Sequence, residues 1–178
     1  MIVASQNQHK LKEIEHILGV KVHGANIKVK EDGKTFEENA IKKAKAGLRK
    51  FKELTLADDS GLEVKCLGGK PGVKSARYAT PPTPENLCNK LLRAMKDGKD
   101  RRAQFVCVIA LAYPNGKVKT FKGVVKGRII EEMRGSHGFG YDPVFVPDGY
   151  QKTFAEMKPA TKNHLSHRGQ ALKKISRL

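Results

Sequence analysis

The chain has 178 residues, with 35 Lys and Arg against 18 Asp and Glu, a formal charge of +17. Apolar residues at 39% exclude a disordered polyelectrolyte, and the length suits one domain with a real core. The longest unbroken apolar run, Phe105–Tyr113, falls far short of the roughly 20 residues a membrane helix needs, so no membrane partner is expected.

Residues 2–5 read as a short buried strand. Gln8–Leu18 has helical spacing, with Leu11, Ile14, Ile17 and Leu18 on one face and Gly19 as the stop. Lys21–Val29 reads as a strand and Asp32-Gly33 as a turn. Thr35-Phe36-Glu37-Glu38 has the form of a capping box. It opens a helix whose apolar stripe is Phe36, Ala40, Ile41, Ala44, Leu48 and Phe51. Leu54–Ala57 reads as a strand running into Asp58-Asp59-Ser60-Gly61, and Leu62–Leu67 as another strand. Residues 68–84 form a glycine- and proline-rich loop, and Thr83-Pro84 starts a helix through Met95. Ala103–Tyr113 is a buried strand, Pro114-Asn115-Gly116 a hairpin turn, and Val118–Phe121 and Val124–Ile130 its return. Val144–Val146 is a short strand, and a last helix is expected from Leu165 to Arg177 with Leu172 and Ile175 inward. Interleaved helices and strands with one hairpin predict an α/β fold on a mixed sheet, as a single domain over 1–178.

Charge of this size points to a polyanionic ligand. Nucleic acid and nucleoside triphosphates are the two candidates. The lysines are scattered (Lys42, Lys43, Lys45, Lys50, Lys52), aromatics are only 6%, and no known nucleic-acid motif is present. The N-terminus turns polar after Ala4, unlike a targeting peptide, and Cys66, Cys88 and Cys107 form no CxxC pair. A reduced, cytoplasmic setting is expected.

Four segments carry chemistry. Ser5-Gln6-Asn7-Gln8-His9-Lys10 joins a strand to a helix, where backbone N–H groups, Ser5, Asn7 and Lys10 suit a phosphate; a plain N-cap is the simpler reading. In Asp58-Asp59-Ser60-Gly61, alternation sends at most one carboxylate into a given pocket unless the chain turns. That carboxylate can hold Mg²⁺ or activate water; an Asx turn is the alternative. Gly138-Phe139-Gly140-Tyr141-Asp142-Pro143 offers aromatic faces and an acceptor to a base, or is a turn with two core aromatics. Ser166-His167-Arg168-Gly169, preceded by Lys162, offers donors for a carbonyl, or a capped helix with exposed polar residues.

In this order and spacing the four segments resemble the inosine triphosphate pyrophosphatase family. Further matches are Thr35-Phe36-Glu37-Glu38-Asn39-Ala40, Leu67-Gly68-Gly69-Lys70-Pro71-Gly72, Ser75-Ala76-Arg77-Tyr78 and Thr153-Phe154-Ala155-Glu156-Met157, so the resemblance runs from Ser5 to Gly169. It implies an elongated mixed β-sheet with flanking helices, a central substrate cleft between two lobes, and a homodimer. It implies Mg²⁺-dependent attack of water on the α-phosphorus of ITP, dITP or XTP, giving the monophosphate and pyrophosphate and so cleansing the nucleotide pool. By position, Ser5, Gln6, Asn7, Gln8, His9 and Lys10 bind the triphosphate. Asp59 is metal ligand and proton acceptor, with Ser60 beside it on the substrate. Phe139, Gly140, Tyr141 and Asp142 flank the base, Phe139 stacking on it, and Lys162, His167 and Arg168 read it, the last two at the 6-oxygen. The second metal-binding acid is Glu31, with Glu38 as the alternative. Arg77 serves phosphate or shapes its loop.

A 6-oxo purine presents an acceptor where adenine presents a donor. Two buried donors left unpaired opposite adenine cost about 1–3 kcal/mol each, or roughly tenfold to several-hundredfold discrimination or more. Two rival readings remain: a nucleic-acid-binding protein, motivated by the charge, and a house-cleaning pyrophosphatase for other modified nucleotides. On the pyrophosphatase reading no stable nucleic-acid partner is expected.

Overall fold

β1 (Ile2–Val3) hands the chain to α1 (Gln8–Leu18), which starts and stops where its local signals lie. The Asn7 side chain accepts from the N–H groups of His9 and Lys10, and Gly19 ends the helix at φ 66°. The structure, a computed structural model, describes residues 1–175.

The strand expected over 21–29 shrinks to β2 (His23–Gly24), parallel to β1 with Ile2 opposite His23. Val22 is buried but Val20 is exposed, and β2 is an edge strand, so the rest of the segment lacks a ladder to join. α2 (Phe36–Phe51) matches the expected helix. Thr35 Oγ1 accepts the Glu38 N–H at 3.1 Å, whereas the Glu38 carboxylate accepts from Lys34 N–H at 2.6 Å, so the capping box closes one residue early. Its buried face is Phe36, Asn39, Ala40, Lys43, Ala44 and Gly47. Ile41, Leu48 and Phe51 are only partly covered; a polar line takes their place.

β3 (Thr55–Val64) runs unbroken through Asp58-Asp59-Ser60-Gly61, joining the two strands expected there and excluding the alternative of a turn. It lies parallel to β1, with Ile2 opposite Thr55. α2 packs along it so closely that a Cβ on Gly47 would meet Thr55 Cγ2 at 2.6 Å. The two elements keep step. Gly47 back to Asn39 rises about 12 Å along the helix, and Thr55 to Asp59 advances about 13 Å along the strand. Asn39 and Lys43 therefore reach Asp59, where both make hydrogen bonds.

α3 (Pro84–Ala94) is capped by Thr83, whose hydroxyl accepts the Asn86 N–H. β4 (Arg102–Ala112) and β5 (Val118–Ile129) are neighbours joined across 113–117, where Tyr113 N–H donates to Lys117 O at 2.9 Å. So short a connection permits only antiparallel pairing. β5 is one strand where two were expected. β6 (Phe145–Pro147) pairs antiparallel with it, Arg128 opposite Val146. Among the described residues the sheet order is β2-β1-β3-β4-β5-β6, with helices flanking it: a mixed α/β fold.

The C-terminal helix expected from Leu165 starts two residues later, at His167, and is preceded by a short helix that was not expected. α4 (Pro159–Leu165) and α5 (His167–Ile175) meet at Ser166, which has extended dihedrals. The expected continuation to Arg177 lies outside the described residues.

The described chain forms two compact units. One comprises 1–60, 107–123 and the segment from His167; the other comprises 61–106 and 124–166. The first has a core of Val3, Leu11, Ile14, Leu56, Ile109 and Leu172. The second is built around Leu62, Leu91, Phe105, Phe145 and Phe154, with the Phe105 and Phe145 rings edge to face at 4.8 Å. No helix among the described residues is long and apolar enough to cross a membrane.

Candidate active site

Because β3 does not turn, Asp58 and Asp59 point to opposite faces, and their partners confirm it. Asp59 faces α2. Its Oδ2 accepts from Asn39 Nδ2 at 3.2 Å and its Oδ1 from Lys43 Nζ at 3.0 Å. The same ammonium lies 3.3 Å from Glu31 Oε1. Burial pushes the Asp59 carboxyl above its ordinary range although Lys43 and Lys10 pull it down. Burial works against the Lys43 ammonium, but Asp59 and then Glu31 hold it above its usual value.

Asp58, 1% exposed, has a different set of donors. Oδ1 takes Lys10 Nζ and Ser60 Oγ, the latter at 3.2 Å; Ser60 is two residues on and shares its face. Oδ2 takes Arg168 Nε and Cys107 Sγ, both at 3.0 Å. Arg168, also 1% exposed, gives Nη2 to Ser60 Oγ at 3.0 Å and Nη1 to Glu13. Burial alone would raise the Asp58 carboxyl, but Arg168 and Lys10 outweigh it and hold it well below the carboxylate range. Burial and Asp58 push the Cys107 thiol well up, so it stays a protonated donor. Among the described residues the cluster sets the carboxylates of Asp58 and Glu13 against the cations of Lys10 and Arg168.

The first turn of α5 carries His167 and Arg168, both buried. Exposed polar residues are thereby ruled out for this segment. The turn backs onto β5 so tightly that a Cβ on Gly123 would lie 2.0 Å from His167 O.

In the Ser5–Lys10 segment, Ser5 Oγ accepts the Asn7 N–H at 3.1 Å, and Asn7 Oδ1 accepts those of His9 and Lys10 at 3.0 and 3.2 Å. Gln6, Asn7, Gln8 and His9 are exposed, and Lys10 turns inward to Asp58. The segment caps its own helix while keeping a polar rim toward solvent.

The second unit gathers another set. Asp142 Oδ2 accepts Phe139 N–H at 2.8 Å and Lys162 Nζ at 2.6 Å. Lys162 Nζ also lies 4.8 Å from the Phe139 ring centre, a cation–π distance. Tyr141 belongs to the core, and its hydroxyl donates to Ser75 O at 2.8 Å. Gly140 O receives Cys88 Sγ at 3.6 Å. Phe139 keeps partial exposure.

Magnesium takes oxygen ligands and is commonly held by one or two carboxylates with substrate phosphates. Asp59 and Glu31 fit that requirement, because both already converge on one cationic group, Lys43. Glu38 instead spends its carboxylate on the Lys34 N–H. Among the described residues no three His, Cys, Asp or Glu side chains form a metal cage, so substrate oxygens would complete the shell.

Sequence reasoning missed Lys43, Asn39 and Glu13, and the buried ion-pair role of Asp58. The first two had a signal: polar residues at i and i+4 on a helix face that also holds Phe36, Ala40 and Ala44. Asp58 and Glu13 had none, since only folding brings residues 13, 58 and 168 together.

Comparison with known proteins agrees with the motifs. A profile of the Ham1 family matches residues 1–178. The dITP/XTP pyrophosphatase of Staphylococcus epidermidis (strain ATCC 12228 / FDA PCI 1200) is 44% identical over 97% of this chain and 92% of its own. That of Bacillus subtilis (strain 168) is 42% identical over 99% and 95%. Among solved structures, the Staphylococcus aureus Ham1 protein superposes with a TM-score of 0.89 at 41% identity, covering 99% of this chain and 95% of that one. A nucleoside-triphosphatase / dITP/XTP pyrophosphatase from Mycobacterium abscessus gives 0.79 at 38% identity, covering 99% and 98%. Matched along its whole length in sequence and in fold, this chain belongs to the Ham1 family.

Proposed function

We propose that this protein hydrolyses 6-oxo purine nucleoside triphosphates (ITP, dITP and XTP) to the monophosphate and pyrophosphate. One observation carries the reading: the buried Asp59 carboxylate shares Lys43 with Glu31, in a chain related at 44% identity to a dITP/XTP pyrophosphatase. Water attacks the α-phosphorus, its oxygen becomes part of the monophosphate, and pyrophosphate leaves.

Asp59 orients the attacking water and takes its proton; a carboxyl lifted by burial is a better base than an exposed one. Asp59 and Glu31 would hold Mg²⁺, which when bound supplies Lewis-acid polarisation of the phosphates. Lys43 pulls the Asp59 carboxyl down against burial, and Lys10, with the rim from Ser5 to His9, receives the triphosphate. Ser60 contacts the substrate beside Asp59. His167 and Arg168 donate to the base at its 6-oxygen. Arg168 is anchored by Asp58, Ser60 and Glu13, which fixes the first turn of α5 and with it the placement of His167. Phe139, partly exposed with the Lys162 ammonium over its ring and Asp142 holding its N–H, serves the base as a stacking face beside Gly140, whereas Tyr141, expected to flank the base, lies in the core. The resemblance also supports a homodimer, which light scattering would test, and three free thiols support a reducing, cytoplasmic setting.

A panel of ITP, dITP, XTP, GTP, ATP and modified pyrimidine triphosphates, with and without Mg²⁺, tests the proposal. Pyrophosphate from the first three only, and only with Mg²⁺, is expected. Release of single phosphates would mean a different phosphohydrolase, and preference for a pyrimidine a different substrate class.

A further inference from the structure

We propose that Asn39 is a positioning residue that assembles the acidic pair, its carboxamide tying the loop that carries Glu31 to the carboxylate of Asp59. The inference rests on the metal role proposed for those two acids. Asn39 is fully buried on α2. Its Oδ1 accepts the Gly33 N–H at 2.8 Å and its Nδ2 donates to Asp59 Oδ2 at 3.2 Å. The orientation of the amide is dictated by its partners. A backbone N–H can only donate, so the oxygen faces Gly33, and a carboxylate can only accept, so the nitrogen faces Asp59.

The loop needs such a tie. From residue 25 to 35 it belongs to no helix or strand. Lys50 Nζ to Asn26 O and Lys42 to Asp32 are exposed contacts, worth little. Lys43 reaches Glu31 from the buried side of α2, but its positive charge competes with any incoming cation. Asn39 is neutral. It occupies Oδ2 of Asp59 and leaves Oδ1 to Lys43, whose ammonium also lies 3.3 Å from Glu31 Oε1. The contact at Gly33 is tight: a Cβ there would meet Asn39 Oδ1 at 2.6 Å. Any side chain at residue 33 would push the loop off Asn39. Partners behind metal ligands commonly contribute about 10–100-fold to affinity.

The test uses Mn²⁺ alone, a cation that also favours oxygen ligands, titrated into the nucleotide-free protein and read by electron paramagnetic resonance. Wild type, D59N, N39A, G33A and K50A are compared, with thermal melts of each metal-free protein. N39A and G33A are expected to weaken Mn²⁺ binding about 10–100-fold, with K50A unchanged. G33A keeps the Asn39 carboxamide and crowds its contact with the loop, against Asn39 Oδ1 and Glu38 Cβ, so it decides the matter if N39A does not fold; a purely structural Asn39 would lower melting temperature and leave affinity alone. Folded N39A and G33A binding Mn²⁺ like wild type would overturn the inference. If D59N bound Mn²⁺ like wild type, the metal role of Asp59 would fall first, and this inference with it.

Discussion

Gly123→Ala tests whether the packing of α5 sets base selectivity. The added Cβ would lie 2.0 Å from His167 O, 2.6 Å from Ala171 N and 3.0 Å from His167 C, all backbone atoms. Ordinary contact begins at 3.4 Å, so strand and helix must part by about 1.4 Å at their closest point. No flexible side chain can absorb that shift. Overpacking of this kind costs about 1–3 kcal/mol, and each kcal/mol lowers the melting temperature by about 2–4 °C in a domain of this size. The displaced atoms belong to the turn that presents His167 and Arg168. A misplacement of about 1 Å can cost on the order of 10²-fold in rate. The ITP-to-ATP ratio of kcat/KM should therefore fall, because ATP never gained from those donors. Gly127→Ala is the control: its Cβ would lie 2.2 Å from Val146 O, so it costs stability through a different contact. Steady-state kinetics on both nucleotides, with melts, separate the two variants. A folded G123A protein with the wild-type ratio would refute the reasoning.

Two further predictions concern the carboxylates. D58N leaves the buried Arg168 and Lys10 without their shared anion and should cost about 3–5 kcal/mol in urea unfolding. Asp58 has a depressed carboxyl in the folded state, so its contribution is complete above the unfolded value near 3.8 and fades as pH falls below it. The wild-type urea midpoint should drop through that window, and D58N should flatten the slope; equal slopes would contradict the network. K43M removes the strongest influence lowering the Asp59 carboxyl, so the acid limb of the kcat/KM profile should move to higher pH. An unmoved limb would mean that Lys43 does not act on the base.

Elements set by local chemistry were legible in the sequence. Asn7 and Gly19 bracket α1, and Thr35 and Thr83 begin α2 and α3, because caps act within a few residues. Elements set by distant partners were not. Asp58-Asp59-Ser60-Gly61 carries turn chemistry, yet it runs straight because Lys10, Arg168, Asn39 and Lys43 satisfy the side chains that a turn would have used. β5 continues through Gly123 because the missing side chain makes room for α5. α4 hid behind the polar stretch Ala160–His164, although Pro159 at its first position was a start signal. For the site, alternation parts Asp58 from Asp59 only where the chain does not turn, a condition that the straight β3 meets and the sequence left open. The buried role of Asp58 was out of reach, since an isolated carboxylate gives no sign that an arginine 110 residues away will close on it.

Hydrolysis of ITP in ¹⁸O-water, with the products separated and weighed, addresses the central proposal most directly. Attack at the α-phosphorus predicts one ¹⁸O in the inosine monophosphate and none in the pyrophosphate. Label in the pyrophosphate, or inosine diphosphate and single phosphate as products, would contradict it.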